Sequence, residues 1–262
     1  ASPCGKPKKI NAYGTLNEFV ANGEIVVRKT FDTITGDVTS IEALTNSLNS
    51  FFLQNYSWDE QCGNMASRID KIANLADHFG YDAFNRLESI ATRKNSALLS
   101  QTNLTYNPYG NIIAKDGVGS YDYAGDDNPY SINTLSDVET LGNFAEEQRA
   151  IYTTFNKLSE LTQNDKHLQI AYGPDDQRVW QEFTTPKESK QKRYFTQLYE
   201  TVTENGVTKN LHYLYAPSGL FAIFATDNNA NETMHYTITD HQGSLAACID
   251  ATQDVTCLGR ML

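Results

Sequence analysis

The sequence predicts an all-β protein, a curled antiparallel sheet of repeated β-hairpins, on three observations. First, an aromatic residue followed four positions later by Gly or Asn recurs along the chain. Tyr81-Asp-Ala-Phe-Asn85-Arg-Leu87, Tyr106-Asn-Pro-Tyr-Gly110-Asn-Ile112, Tyr152-Thr-Thr-Phe-Asn156-Lys-Leu158 and Tyr215-Ala-Pro-Ser-Gly219-Leu-Phe221 are four copies. Tyr172-Gly-Pro-Asp-Asp176-Gln-Arg-Val179 carries Asp at the turn position, and Phe31 to Gly36 and Trp58 to Gly63 carry one extra residue. Second, Tyr 15 and Phe 12 outnumber Met 3 and Trp 2, an aromatic choice that suits a pleated surface. Third, no apolar run approaches the roughly 18 residues of a membrane helix, and the longest, Leu220 to Ala225, is of strand length.

Each copy has a physical reading. An aromatic ends one strand; a turn then needs a residue that tolerates positive φ, which Gly, Asn and Asp supply most cheaply. An aliphatic such as Leu87 opens the return strand. Two strands alone are marginal in water, so the hairpins must lie side by side in one long sheet. Positive φ or a bulge is expected at several of Asn85, Gly110, Asn156, Asp176 and Gly219.

Taken in order, Ile25 to Phe31 reads as a strand leading into the Gly36 turn. Residues 41–53 read as a strand followed by a loop. Hairpins follow at spacings near twenty-five residues, marked by Tyr56, Tyr81 and Tyr106. Residues 126–148 interrupt them as a longer loop or short helix, Tyr152 to Val179 restores the pattern, and 182–193 forms a polar hairpin tip. Residues 194–262 supply closing strands, including Leu211 to Tyr215 and Met234 to Ile238. No domain boundary falls inside 1–262, and 1–30 is the stretch with the fewest signals.

These residues carry a resemblance. Tyr81-Asp82-Ala83-Phe84-Asn85-Arg86-Leu87, Tyr172 to Val179, Leu198-Tyr199-Glu200 and Thr239-Asp240-His241-Gln242-Gly243-Ser244-Leu245 resemble the Rhs/YD-repeat family: bacterial Rhs proteins, the shell subunits of insecticidal toxin complexes and the teneurins. The last segment is similar to the family's TDHxGS segment, in which Asp240, His241 and Gly243 fall. The resemblance runs from about Phe31 to Asp250. It implies one YD-repeat β-shell segment over 1–262, a hollow wall enclosing or presenting a C-terminal toxin or effector domain of the same parent protein. It further implies a secreted or cell-surface location and contact with secretion machinery. The family's DPxGL-type ending is absent, so self-cleavage is assigned to no residue. The chain reads as a piece of a larger protein.

Charge and composition narrow the classes. With 32 acids against 21 bases the net charge is -11, which disfavours a phosphate-binding surface and hence nucleic acid. The one basic cluster, Lys187 to Arg193, reads as solvating a hairpin tip. Cys248 and Cys257 flank a hairpin and either form a cross-strand bridge or remain two half-buried thiols. Cys4 and Cys62 match no zinc spacing.

Candidate chemistry is sparse. Asp240, His241 and Ser244 are the first place for a nucleophile and base, but they share one turn and lack an oxyanion-hole signature, so turn bonding is the expected role. His212 and His235 precede tyrosines in strands that neighbouring could join, with no third metal ligand spaced nearby. Paired acids such as Asp175-Asp176 read as turn residues. No cofactor, metal or catalytic residue is expected, and the chain reads as structural rather than enzymatic. The alternative is an adhesion or glycan-binding module of teneurin-like type, contacting a glycan or cell-surface receptor. The repeat tyrosines are expected to pack, mostly buried, against neighbouring strands.

Overall fold

A computed structural model describes residues 6–10, 14, 16–21, 25–45, 49–123, 130, 132–136, 148–216, 219–250 and 255–258. Among these the chain is all-β, with no helix, hence none long and apolar enough to cross a membrane. The strands begin with β1 (Lys6–Ile10), β2 (Leu16–Ala21), β3 (Ile25–Phe31), β4 (Val38–Leu44), β5 (Ser50–Trp58) and β6 (Met65–Asp70). Next come β7 (Leu75–Tyr81), β8 (Leu87–Lys94), β9 (Ala97–Tyr106), β10 (Ile112–Lys115), β11 (Gly119–Tyr123) and β12 (Ile132–Ser136). Then follow β13 (Gln148–Tyr152), β14 (Leu158–Gln163), β15 (Lys166–Tyr172), β16 (Arg178–Thr184), β17 (Ser189–Thr196) and β18 (Tyr199–Glu204). The last are β19 (Val207–Ala216), β20 (Gly219–Asp227), β21 (Glu232–Thr239), β22 (Leu245–Asp250) and β23 (Val255–Leu258).

Every strand pairing with a described register is antiparallel and between consecutive strands, so the fold is a meander of hairpins. The ladder forms two sheets rather than one, a 12-stranded sheet β1–β12 and an 11-stranded sheet β13–β23. By contact the chain groups into two compact units, residues 1–27, 45–49 and 146–262, and residues 28–44 and 50–145.

Several local expectations need correcting. Residues 41–53 are not strand then loop: β4 ends at Leu44 and β5 starts at Ser50, with Ala43 paired to Phe52. Helix-poor Asn and Ser around the join are tolerated because β-pairing and burial of Ile41, Ala43 and Phe52 decide the state. Within 126–148, Ile132–Ser136 is a strand paired to β11, and most of the remainder lies outside the described residues. The polar tip is only 185–188, because the residues on either side pair as β16 and β17. The basic residues run along β17, where Lys190 meets Glu204 at 3.2 Å and Lys192 meets Glu200 at 3.4 Å.

The unit of 28–44 and 50–145 buries Ile41, Ala43, Leu44, Phe52, Tyr56, Met65 and Leu104. Its polar core group is Asp77, 6% exposed, which accepts from Arg68 at 3.0 Å and Thr92 at 2.8 Å. Pairing and hydrogen bonding are what make a buried carboxylate tolerable. In the other unit Tyr236 to Thr239 and Ala246 to Ile249 are all buried, so both faces of the sheet are covered at β21 and β22. Cys248 and Cys257 stand directly opposite in the β22–β23 register.

Candidate functional site

The repeat is built from its turns outward. In the 82–86 turn the Asp82 N–H donates to the Arg86 carbonyl at 2.9 Å and the Asn85 N–H to the Asp82 carbonyl at 3.0 Å. The same two bonds recur in the turns that start at Asn107, Thr153, Gly173, Asp227 and Asp240. The fourth residue of each takes positive φ: Asn85 +61°, Gly110 +89°, Asn156 +60°, Asp176 +58°, Ala230 +62° and Gly243 +84°. A register shift sits just before the anchor in the hairpins of Tyr81, Tyr152 and Tyr172, which then pair with Leu87, Leu158 and Arg178. This is a tight turn followed by a left-handed bulge residue, whose extra twist matches the sheet.

The residue after the aromatic explains the recurrent acid. Asp82 Oδ1 accepts from the N–H groups of Phe84 and Arg86, both at 2.9 Å. Asn107 Oδ1 accepts from Tyr109 and Asn111, Asp227 Oδ1 from Asn229 and Asn231, and Asp240 Oδ1 from Gln242 and Ser244. The copies with one extra residue close differently. Gly36 and Gly63 donate to carbonyls four residues back, at Asp32 and Asp59, and these acids accept from the second and third N–H groups. Such charge-assisted bonds favour the ionised acid. Backbone N–H groups hold the Asp32 and Asp59 carboxyls below their ordinary range. At Asp82 burial pushes upward, but bonds from the Arg86 side chain and the turn N–H groups outweigh it.

The aromatic anchors perform a second task. The Trp58 indole N–H donates to the Val38 carbonyl at 2.8 Å. Tyr81 Oη donates to Met65 at 3.0 Å, Tyr106 Oη to Leu87 at 2.6 Å, Tyr123 Oη to Ile112 at 2.7 Å and Tyr172 Oη to Leu158 at 2.7 Å. Each acceptor is the first residue of the return strand in the preceding hairpin. A bulge disrupts the ladder locally, and the aromatic's polar end supplies a donor beside it. The anchors are therefore half-buried rather than buried, because each ring must leave its hydroxyl at the turn edge of the sheet. Tyr152, at the end of β13, is 46% exposed. Tyr215 is 57% exposed and pairs with Leu220, one position from the Ala216–Gly219 pair; Gly219 has φ +100°. There Thr237 Oγ1 donates to the Leu220 carbonyl at 2.8 Å. Tyr56, one of the spacing marks, lies buried inside β5, and Trp58 holds the anchor position.

A cation follows the turn residue in two copies and ties neighbours together. Arg86 binds Asp82, donates to the Asn107 carbonyl at 3.2 Å and lies 4.5 Å over the Tyr106 ring. Lys157 donates to the Asp176 carbonyl and lies 5.6 Å over the Tyr172 ring, against which Phe155 packs edge-on. This link was missed in the sequence, though Asn85-Arg86-Leu87 and Asn156-Lys157-Leu158 carry the signal.

The remaining candidates stand apart. The Asp240 carboxylate is taken up by its own turn, and Ser244 contributes backbone groups to it. His212 pairs with Phe224 and His235 with Ile223, so the imidazoles lie two strands apart on opposite faces. No group of three potential metal ligands occurs among the described residues. His212 instead joins a row of rings, Phe195 on Tyr199 at 5.1 Å, Tyr199 on His212 at 4.7 Å and His212 near Phe224 at 6.2 Å. On the reverse face the Glu200 side chain, 8% exposed, meets Lys192 and Tyr213. Burial first, then Glu200, raises the Tyr213 phenol well above its ordinary value.

This succession of hairpins matches a solved structure, the crystal structure of TcdB2-TccC3-TEV, with a TM-score of 0.69 at 11% identity. The fold resembles a segment of that protein. The match covers 98% of this chain and 15% of TcdB2-TccC3-TEV, so this chain spans a small part of that length. No family model matches the sequence, and no curated protein matches it.

Proposed function

We propose that this chain is a wall segment of an Rhs/YD-repeat β-shell, secreted or displayed at the cell surface, which encloses or presents a C-terminal toxin or effector domain of the same parent protein. The observation that carries this reading is the chain of anchors. Trp58, Tyr81, Tyr106, Tyr123 and Tyr172 each bond to the preceding hairpin, so each of these five hairpins is registered on the one before it. A device of this kind lets one unit be added indefinitely without a central core, which is what a wall needs. Likeness over 98% of the chain to TcdB2-TccC3-TEV supports the same reading. The wall contributes enclosure and no catalysis of its own.

The test is protease protection in the parent protein. Under limiting thermolysin, a domain encoded after the shell is expected to survive in the wild type. It is expected to be degraded in a triple variant, Tyr81→Ala, Tyr106→Ala and Tyr172→Ala. Equal degradation in both, with the wall folded in the wild type, contradicts the proposal.

A further inference from the structure

At the turn edge of the 146–262 unit, the 173–177 turn and the end of β17 with the 197–198 turn border a pocket of about 740 Å³. That size suits a small ligand of several rings. Phe195 lines it and is 58% exposed, although Tyr199 covers one of its faces. The ring therefore offers an apolar surface at the pocket wall. Tyr199 is in turn backed by His212, so the ring is already held in place and loses little freedom on binding.

The polar lining decides the ligand class. Lys157 and Arg178 line it together with Asp175 and Asp176, two cations and two acids, so the lining carries no net formal charge. That balance disfavours phosphate, nucleic acid and metal ions alike. The Arg178 guanidinium and the Asp176 carboxylate form no side-chain bond among the described residues, and the Gln177 and Gln197 amides add donors and acceptors. One exposed ring beside unspent donors and acceptors of both kinds, without net charge, matches the two surfaces of a sugar: an apolar C–H face and a rim of hydroxyls. We propose that this pocket binds a neutral saccharide. Phe195 stacks on a sugar ring, while Arg178 and Asp176 bond its hydroxyls. The site uses none of the repeat anchors as a stacking surface except Tyr172 at its wall, and it stands whether or not the chain encloses a cargo.

The experiment titrates the 262-residue chain with four probes, maltohexaose, cellohexaose, mannohexaose and chitohexaose, by calorimetry and NMR. At least one is expected to saturate below about 5 mM. Its affinity should be unchanged between about 50 mM and about 500 mM NaCl, because no charge is neutralised. Phe195→Ala should weaken binding about tenfold, the loss of one ring stack, and Arg178→Gln several-fold. Ile34→Ala, an exposed apolar residue of the other unit, should leave it unchanged. If Phe195→Ala fails to fold, Arg178→Gln and the shifts of the wild-type Phe195 ring protons on titration decide. The proposal is overturned if none of the four probes saturates, or if binding survives the pocket variants within twofold. Tighter, salt-sensitive binding of inositol hexakisphosphate at this pocket also overturns it, since that would mark a basic anion site.

Discussion

Replacing Tyr106 with Phe removes one oxygen and nothing else, and the structure says what that oxygen does. Tyr106 Oη donates to the Leu87 carbonyl at 2.6 Å, while Arg86 lies over the ring at 4.5 Å. The phenylalanine ring keeps the cation contact and the strand packing, so the variant isolates the clamp. Losing a net hydrogen bond costs about 0.5–1.5 kcal/mol, and the part-buried setting keeps the cost near about 1 kcal/mol. For a chain of this size that is a fall of about 2–4 °C in melting temperature. Tyr81→Phe and Tyr172→Phe remove separate clamps with separate acceptors, so the triple variant should lose about 3 kcal/mol, near the sum. Tyr152 sits on β13 at the edge of its sheet and bonds to no acceptor among the described residues, so Tyr152→Phe should be neutral. Urea denaturation of the six proteins, wild type and triple variant included, measures all of this. Unchanged stability in the three clamp variants, or an equal loss in Tyr152→Phe, refutes the clamp.

Other outcomes follow from the same geometry. Asn85→Ala places a Cβ-bearing residue without an amide at φ +61° and should cost about 1 kcal/mol, whereas Asn85→Gly should be close to neutral by chemical denaturation. Asp32, Asp59, Asp82 and Asp227 have folded-state values below 3.8, so the unfolded chain binds their protons first. Their stabilisation is complete above that range and is lost as pH falls through and below it. Asp→Asn at all four should flatten the acid limb of a stability–pH profile while keeping the 82 and 227 turns, since Asn107 already fills the same place in a turn of that kind. Lys192→Met leaves the Glu200 carboxylate without its cation and should cost about 1–3 kcal/mol, reduced from a fully buried pair because Lys192 is 30% exposed. Thermal melts at neutral pH check it.

The class of fold was legible because a hairpin writes its turn into the sequence. Asn85, Gly110, Asn156, Asp176 and Gly219 stand out as residues that tolerate positive φ, and all five adopt it. The Asp240-His241-Gln242-Gly243 segment reads as a turn for the same reason. What the hydroxyl of each anchor tyrosine does was not legible, because its acceptor lies 11–19 residues earlier on another hairpin, as for Tyr123, Tyr172, Tyr81 and Tyr106. Spacing also misled at Tyr56: the aromatic that keeps the interval is buried, and Trp58 two residues on makes the bond. The division into two sheets was hidden as well, since strand alternation says which residues pair locally but not where a ladder ends. The pocket beside Phe195 joins two turns that are more than twenty residues apart at their outer ends, and no motif marks such a meeting.

The central claim, a registered hairpin wall around a guest, is tested most directly by a cryo-electron microscopy map of the parent protein. The hairpins of residues 28–123, and separately those of residues 148–250, are each expected to run as an unbroken antiparallel wall. Density for a domain encoded downstream should lie on one side of it, shielded from solvent. A map in which that domain sits free in solvent, with both sides of the hairpin sheets open, contradicts the account.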